Sequence, residues 1–499
     1  MSSLPASLLS PWSYSLFGCC HSDELQAGRG RAVNESTFQV TREWLDGEVS
    51  GCGDVALTEM RSNRGESGDS SLMTLIYCTG LIDRTSMQTL LFTTSDGKKE
   101  EILNNPLVSE FDPGENGLQL FNHVFSGRLV IWLQEDNRVY VCDTADNPGR
   151  APEESTMEVS LKGPRDGFIE QIDVNCALIR KRLRTTKLQI ESFIIGSSSQ
   201  TQVQLLYLKD TACPEIIHEA RGRLKRIHIE ALQTAAELEE IISDRSLSLF
   251  PLVNYVGRPD FVVQSLLNGR FALLVDGSPS ALIAPANLAM LIKSPEDAHL
   301  PYYFVSFERL LRLLGFLLAI ALPGFWISLL AFNSDQVPLP LLATVIMSRM
   351  GLPLGSQMEL FIMIMMFELF REAGVRLPRA VGQTVTVVGG LIVGDAAIRA
   401  GLTSPTMLVV SAVTAVATFT LVNQSLNGTV TVIRIYILFV SSILGLFGFF
   451  ISLFSVFLYL CRLESFGQPY LAPVAPFKPR QLLTALLQLP WKFRAKQGD

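Results

Sequence analysis

Apolar residues run almost unbroken from about Leu310 to Cys461, whereas the 300 residues before them mix apolar and polar positions as a water-soluble protein does. Leu310 to Phe332 carries a single charge, Arg312, near its start. At a rise of about 1.5 Å per residue that segment is long enough to cross a hydrocarbon core of roughly 30 Å. Four further apolar segments follow: Gln357 to Ala373, Val381 to Arg399, Pro405 to Asn427 and Thr431 to Cys461. The pattern predicts an N-terminal α/β soluble region of two similar subdomains, then an α-helical polytopic membrane domain over residues 305–462 and a C-terminal tail over 463–499.

The apolar segments are uneven. Gln357 to Ala373 carries Glu359, Glu368, Arg371 and Glu372, and a charge at a bilayer centre costs roughly 3 kcal/mol on insertion scales. It reads as a re-entrant or interfacial helix, with Glu368, Arg371 and Glu372 as candidate gating or intramembrane polar residues. Thr431 to Cys461 is too long for one untilted crossing, since about 31 residues make a helix of roughly 46 Å. Gly445 and Gly448 mark a place where it folds into a shallow hairpin, and tilting is an equally physical reading. Arg309 and Arg312 before the first span, and Lys478, Arg480, Lys492, Arg494 and Lys496 after the last, put both ends on the cytosolic side. That requires an even number of crossings, although the long segments number five.

Val381 to Arg399 is studded with polar and small residues. On a 3.6-residue period Gln383, Thr386 or Val387, Gly390 and Gly394 share one stripe. Such a stripe serves close helix packing, or lines a water path at the centre of a symmetric oligomer. Asp395 and Arg399, four apart, neutralise each other at its end. Thr414, Thr418, Thr420, Asn423, Gln424 and Asn427 read as glue between helices, with an ion path as the alternative.

In the soluble part, a strand at Leu72 to Tyr77 and another at Gln202 to Leu208 are each followed by a helix-like run. Each is then followed by a Gly-Arg hairpin, SGRLVIWLQEDNRVYVCD from Ser126 and NGRFALLVDGSPSALIAP from Asn268. Asp276-Gly277 supplies the tight turn of the second. An internal duplication is predicted, with subdomains over 69–145 and, including an acidic and Pro-containing linker, 146–300. Arg180, Lys181, Arg182 and Arg184 end an amphipathic helix and read as a solvated face, or as a membrane-surface or partner contact. Glu237, Glu239 and Glu240 read as solvated too. Residues 1–68, rich in Gly, Ser and Glu, read as a disordered tail.

Composition narrows the classes. The chain is 48% hydrophobic and 18% charged, with mean hydropathy +0.29 and net charge −7, which disfavours a nucleic-acid binder. Eight cysteines lack any CxxC pair and read as reduced thiols in a cytosolic setting. Five scattered histidines suggest no metal site. Walker, GxSxG, HExxH and GxGxxG motifs are absent, so no catalytic residue and no cofactor is indicated, and the chain reads as a non-enzyme. No charged n-region precedes the short N-terminal apolar run, so a cleaved signal peptide is not expected.

The segments GPRDGFIEQIDVNCALIRKRLR (163–184), LLYLKD (205–210), LVDGSP (274–279), SPED (294–297), LFREAGVRLPRAVGQTVTVVGGLIVGDAA (369–397) and ESFGQPYLAPVAP (464–476) carry a resemblance. Over about residues 70–476 the chain resembles the A subunit of bacterial spore germinant receptors, the GerA family. The resemblance implies a receptor in the inner membrane of dormant spores, a multi-spanning B subunit that binds the nutrient, and a C subunit lipoprotein as partners. It also implies that A subunits form a homo-oligomeric cation channel opened by the nutrient, with N-terminal region and C-terminal tail in the cytosol. Ala298 and His299 depart from the aromatics usual after SPED, and Asn423-Gln424-Ser425-Leu426 departs from Asn-Tyr-Ser-Leu. A secondary transporter and a non-conducting membrane scaffold are the competing readings.

Overall fold

The computed structural model describes residues 40–63, 70–95, 108–111, 117–134, 137–144, 162–376, 392–488 and 490. The chain separates into two units. The first holds the residues up to Leu247, Leu252–Ala286 and Ser465–Gln468; the second holds Ser248–Pro251, Asn287–Glu464 and Pro469 onward. This division falls at Ala286, ahead of the expected boundary near residue 300.

The first unit is built on two five-stranded antiparallel sheets. One contains β1 (Val55–Asn63), β2 (Ser70–Cys78), β3 (Val108–Phe111), β4 (Leu129–Leu133) and β5 (Arg138–Cys142), in the order β1-β2-β4-β5-β3. The other contains β6 (Leu188–Ile195), β7 (Thr201–Leu208), β8 (Asn254–Val256), β9 (Phe271–Val275) and β10 (Ala281–Ala284), in the order β6-β7-β9-β10-β8. Strand for strand the two orders are identical. Helices α1 (Arg42–Val49), α2 (Arg84–Ser95) and α3 (Gly117–Val124) accompany the first sheet, and α4 (Ile172–Arg182), α5 (Pro214–Arg226), α6 (Ala235–Ile242) and α7 (Pro259–Leu267) follow in the chain.

The two Gly-Arg signals mark the same local event. After α3 the Arg128 N–H bonds the His123 carbonyl at 3.2 Å, and after α7 the Arg270 N–H bonds that of Ser265 at 3.2 Å. Gly127 and Gly269 take φ of 87° and 79°. These are helix stops that need a left-handed residue, so glycine ends each helix and releases the chain into β4 or β9. Gly277, φ 81°, turns β9 into β10.

Residues 40–63, expected to belong to a disordered tail, form α1 and β1. Thr41 caps α1 by accepting from the Trp44 N–H, Trp44 packs on Phe121 at 5.5 Å, and Leu45 and Val49 join the core of the first sheet. β1 pairs with β2 over its whole length. The Gly, Ser and Glu content masked four spaced apolar residues, Val40, Trp44, Leu45 and Val49, that bury together.

The second unit is helical: α8 (Leu288–Leu291), α9 (Tyr302–Phe332), α10 (Leu339–Arg349), α11 (Ser356–Arg376), α12 (392–399), α13 (Pro405–Phe419), α14 (Gln424–Cys461) and α15 (Pro479–Leu486). Pro405 to Asn427 is not one element, because α13 stops at Phe419 and Asn423 caps the next helix by accepting from the Leu426 N–H. Within the tail, α15 is helical over Pro479–Leu486.

The 38 residues of α14 are two antiparallel arms. Gly445 has φ 62° and ψ −142°, a conformation essentially confined to glycine. Tyr436 Oη and Ser455 Oγ, 19 residues apart, lie 3.0 Å from each other, where a straight helix would separate them by about 28 Å. Leu249 confirms the fold-back: its N–H donates to Tyr459 Oη at 3.0 Å and its carbonyl accepts from Thr429 Oγ1, 30 residues earlier on α14. The tip packs on the end of α9, where a Cβ on Gly445 would lie 2.8 Å from the Phe332 ring. Gly324 faces Ile437 and Ser441, and Phe325 meets Phe449 at 5.5 Å, so α9 touches both arms.

Candidate functional site

Charged residues of the helical unit meet where α11, α13 and α14 converge. Arg434, 3% exposed, donates from Nη2 to Glu368 Oε2 at 2.9 Å and from Nη1 to Thr418 Oγ1 at 3.0 Å. Thr431 Oγ1 donates to Glu368 Oε1 at 3.0 Å, and Arg371 closes on the same oxygen. Glu368, Arg371, Ser411, Thr414, Thr418 and Arg434 line a cavity of about 20 Å³, room for one water. Two cations and one carboxylate leave a net charge of +1. A buried guanidinium is tolerable in apolar surroundings only when paired and hydrogen-bonded in this way.

The position of the cluster along the bundle follows from α9. A Cβ on Gly315 would lie 2.0 Å from Thr420 Oγ1 and 3.2 Å from the Ala417 carbonyl oxygen. The cluster therefore lies toward the Arg312 end of α9. Arg309 and Arg312 are themselves buried, reaching Asp297 at 2.7 and 2.8 Å, and Arg312 also meets Glu308 at 2.9 Å. Gln488 Nε2 donates to the Asp297 carbonyl at 2.9 Å. At the other end of α13, Glu359, wholly buried, accepts from the backbone and side chain of Ser404 and from Thr403 Oγ1 at 3.3 Å, with Arg349 at 3.4 Å. A carboxylate there complements the positive end of α13.

Of the residues singled out from sequence, Glu368 and Arg371 are brought together, and Glu372 is exposed. Asp395 and Arg399 pair at 2.8 Å on the surface. A Cβ on Gly394 would meet Leu408 of α13 at 3.2 Å, consistent with close packing there. Gln383, Thr386, Val387 and Gly390 lie outside the described residues. Arg434 was missed, although a lone arginine in the run Thr431 to Cys461 was visible. The hydroxyls of Thr414 and Thr420 donate to the Val410 and Ala417 carbonyls of α13. Among the threonines of α13, Thr418 also reaches across, to Arg434.

In the first unit the basic run ending α4 is not all solvated. Arg180 is fully buried and pairs with Asp54 through Nε at 2.8 Å and Nη2 at 2.7 Å. Its guanidinium also covers the Phe125 ring at 4.4 Å. Burial alone would lower its pKa, but the Asp54 charge and hydrogen bonds outweigh that and raise it. Burial pushes the surrounding thiols of Cys52, Cys78 and Cys176 upward, which leaves them protonated and unreactive. The six described cysteines are all free. Glu239, expected to be solvated, is largely covered, and burial raises its carboxyl to about 7.

The model of the family described as Bacillus/Clostridium GerA spore germination protein matches residues 43–498. Spore germination protein XA of Bacillus anthracis is 42% identical over 478 residues, 92% of this chain and 94% of that one. Spore germination protein KA of Bacillus subtilis is 31% identical, covering 89% and 83%. Spore germination protein GerLA of Bacillus cereus is 31% identical, covering 90% and 92%. The crystal structure of the N-terminal domain of the A subunit of the Bacillus megaterium spore germinant receptor GerK3 is 26% identical, covering 49% of this chain and 92% of that one at a TM-score of 0.37.

Proposed function

The chain belongs to the Bacillus/Clostridium GerA family of spore germination proteins, and from that premise we propose that it is the A subunit of a nutrient germinant receptor in the spore inner membrane. In this reading it assembles with further copies of itself, with a multi-spanning nutrient-binding B subunit and with a C subunit lipoprotein. The oligomer conducts cations when the nutrient binds, without enzymatic chemistry, and the α/β unit organises the assembly on the cytosolic side.

The observation that carries the membrane part is the fold-back of α14 at Gly445. Its arms, Gln424 to Leu444 and Leu446 to Cys461, are about 30 and 24 Å long. Counting two arms, and taking Gln357 to Ala373 as a crossing rather than a re-entrant helix, turns the five long apolar segments into six, the even number that cytosolic ends at both termini require. Charges that would be costly in lipid are instead paired with one another inside the helical unit. The conducting path is assigned to Gln383, Thr386, Val387 and Gly390 of the stripe, whose small and polar residues suit a water-filled axis, whereas Gly394, buried against Leu408 of α13, serves helix packing.

The test is conductance of the reconstituted receptor, together with potassium release from spores carrying Val387→Glu or Gly390→Leu. A channel subunit gives nutrient-dependent current and altered release in both variants. A scaffold gives no current, and a transporter gives nutrient binding to the isolated A subunit. Wild-type release from both variants removes the stripe from the path.

A further inference from the structure

We propose that the groove between Pro164–Asp166 and the end of α4 is a binding site for a phosphoryl oxyanion, a ligand site beyond the germination reading above. The groove is a cavity of about 510 Å³ lined by Pro164, Arg165, Asp166, Lys181, Arg182 and Arg184. Four cations face one carboxylate there, a local charge of +3 on a chain whose net charge is −7.

Two features distinguish this from an ordinary solvated helix end. The cations converge from two separate segments, because Arg165 belongs to the stretch before α4 while Lys181, Arg182 and Arg184 belong to its last turn and exit. Arg182 is also held in place: it pairs with Asp166 and donates to the Leu178 carbonyl at 2.9 Å, fixing one wall. Arg165, Lys181 and Arg184 are exposed around it.

Guanidinium forks match the oxygens of a phosphoryl group two at a time, and an ammonium adds a point charge. A free polyphosphate and a phospholipid headgroup share that chemistry. Two probes tell the sources apart.

The experiment uses the full chain in nanodiscs of neutral lipid. Binding of tripolyphosphate is titrated calorimetrically, and binding to phosphatidylglycerol vesicles is measured by flotation. The groove variant is Arg165→Gln/Lys181→Gln/Arg184→Gln. The charge-matched control is Lys209→Gln/Lys225→Gln/Arg226→Gln, three exposed cations elsewhere on the same unit. Saturable binding of one probe that falls about tenfold or more in the groove variant, stays within about twofold in the control and weakens with salt supports the site, and the probe that binds identifies the source. Equal losses in the two variants, or no saturable binding of either probe, overturn it. Lys181→Gln and Arg184→Gln alone, each expected to lose about threefold, keep the test decisive if the triple variant misfolds.

Discussion

Arg180 and Asp54, 126 residues apart, close on each other through two hydrogen bonds of 2.8 and 2.7 Å, with side-chain exposures of 0% and 6%. The pair joins the duplicated halves of the α/β unit. Asp54 precedes the first strand of one sheet, and Arg180 also donates to the carbonyls of Thr185 and Leu188, where the other sheet begins. Next to it the chain at Gly51 and Gly53 exchanges backbone hydrogen bonds with Ile190 on the edge of β6.

Removing one member of this pair strands a charge away from water. Arg180→Met or Asp54→Leu alone is expected to cost about 3–5 kcal/mol, and the double variant less than either single one. Denaturant unfolding of the full chain in detergent, followed by tryptophan fluorescence, checks both statements. A double variant as unstable as the sum of the singles would rule out the pairing.

Glu368 and Arg434 make the corresponding test in the helical unit. Arg434→Leu leaves Glu368 with Arg371 and Thr431, whereas Glu368→Leu leaves two cations together. Glu368→Leu is therefore expected to be the more damaging, by about 2 kcal/mol or more. Thermal aggregation midpoints of the solubilised variants give the order, and the reverse order would contradict the cluster.

The α14 hairpin predicts a crosslink. Tyr436→Cys/Ser455→Cys should be bridged intramolecularly by a short bis-maleimide crosslinker, visible as a mobility shift, because the native side chains meet at 3.0 Å. A straight helix forbids it. Gly445→Ala is expected to cost about 1–3 kcal/mol from backbone strain, before its clash with Phe332. Gly428→Ala, in open space on the same helix, should be neutral or stabilising by about 0.5–1 kcal/mol.

Glu239 sets a pH dependence. Burial raises its carboxyl from 4.5 to about 7 in the folded protein, so the folded state binds this proton more tightly than the unfolded one. The stabilisation is fully present below about pH 4.5 and is lost as pH rises through about 7. Glu239→Gln removes that dependence and is expected to stabilise the α/β unit at pH 8 by on the order of 1 kcal/mol, the full shift being reduced by partial exposure. Unfolding midpoints at pH 5 and pH 8 test it: a wild-type-minus-variant difference that does not change between them would contradict the assignment.

Legibility in the sequence differed by the range of the interaction. Local signals held where Gly277 turns a hairpin and Asp395 pairs with Arg399 one turn away, whereas the Gly-Arg pairs, read as parts of hairpins, are helix stops at Gly127 and Gly269. Composition misled over residues 40–63, where few but well-spaced apolar residues outweighed the polar ones. Side chains whose partners lie far along the chain were misread. Arg180 looked like a solvated helix end, and Arg434 went unremarked.

By itself the sequence determined the division into an α/β part and an apolar helical part, the repeated strand–helix–hairpin unit, the family and the pair of glycines, Gly445 and Gly448, at the first of which α14 turns. Each of these follows from periodicity or from a residue's own backbone limits, which need no knowledge of distant neighbours. Tertiary structure alone decided which charges are buried and with whom: Asp54 with Arg180, Glu368 with Arg434, Glu359 with Ser404. A charge's free energy is set by the dielectric and the partners around it. Those are properties of the packed fold, so two arginines of equal appearance in the chain, Arg180 buried and Arg184 exposed, have opposite roles.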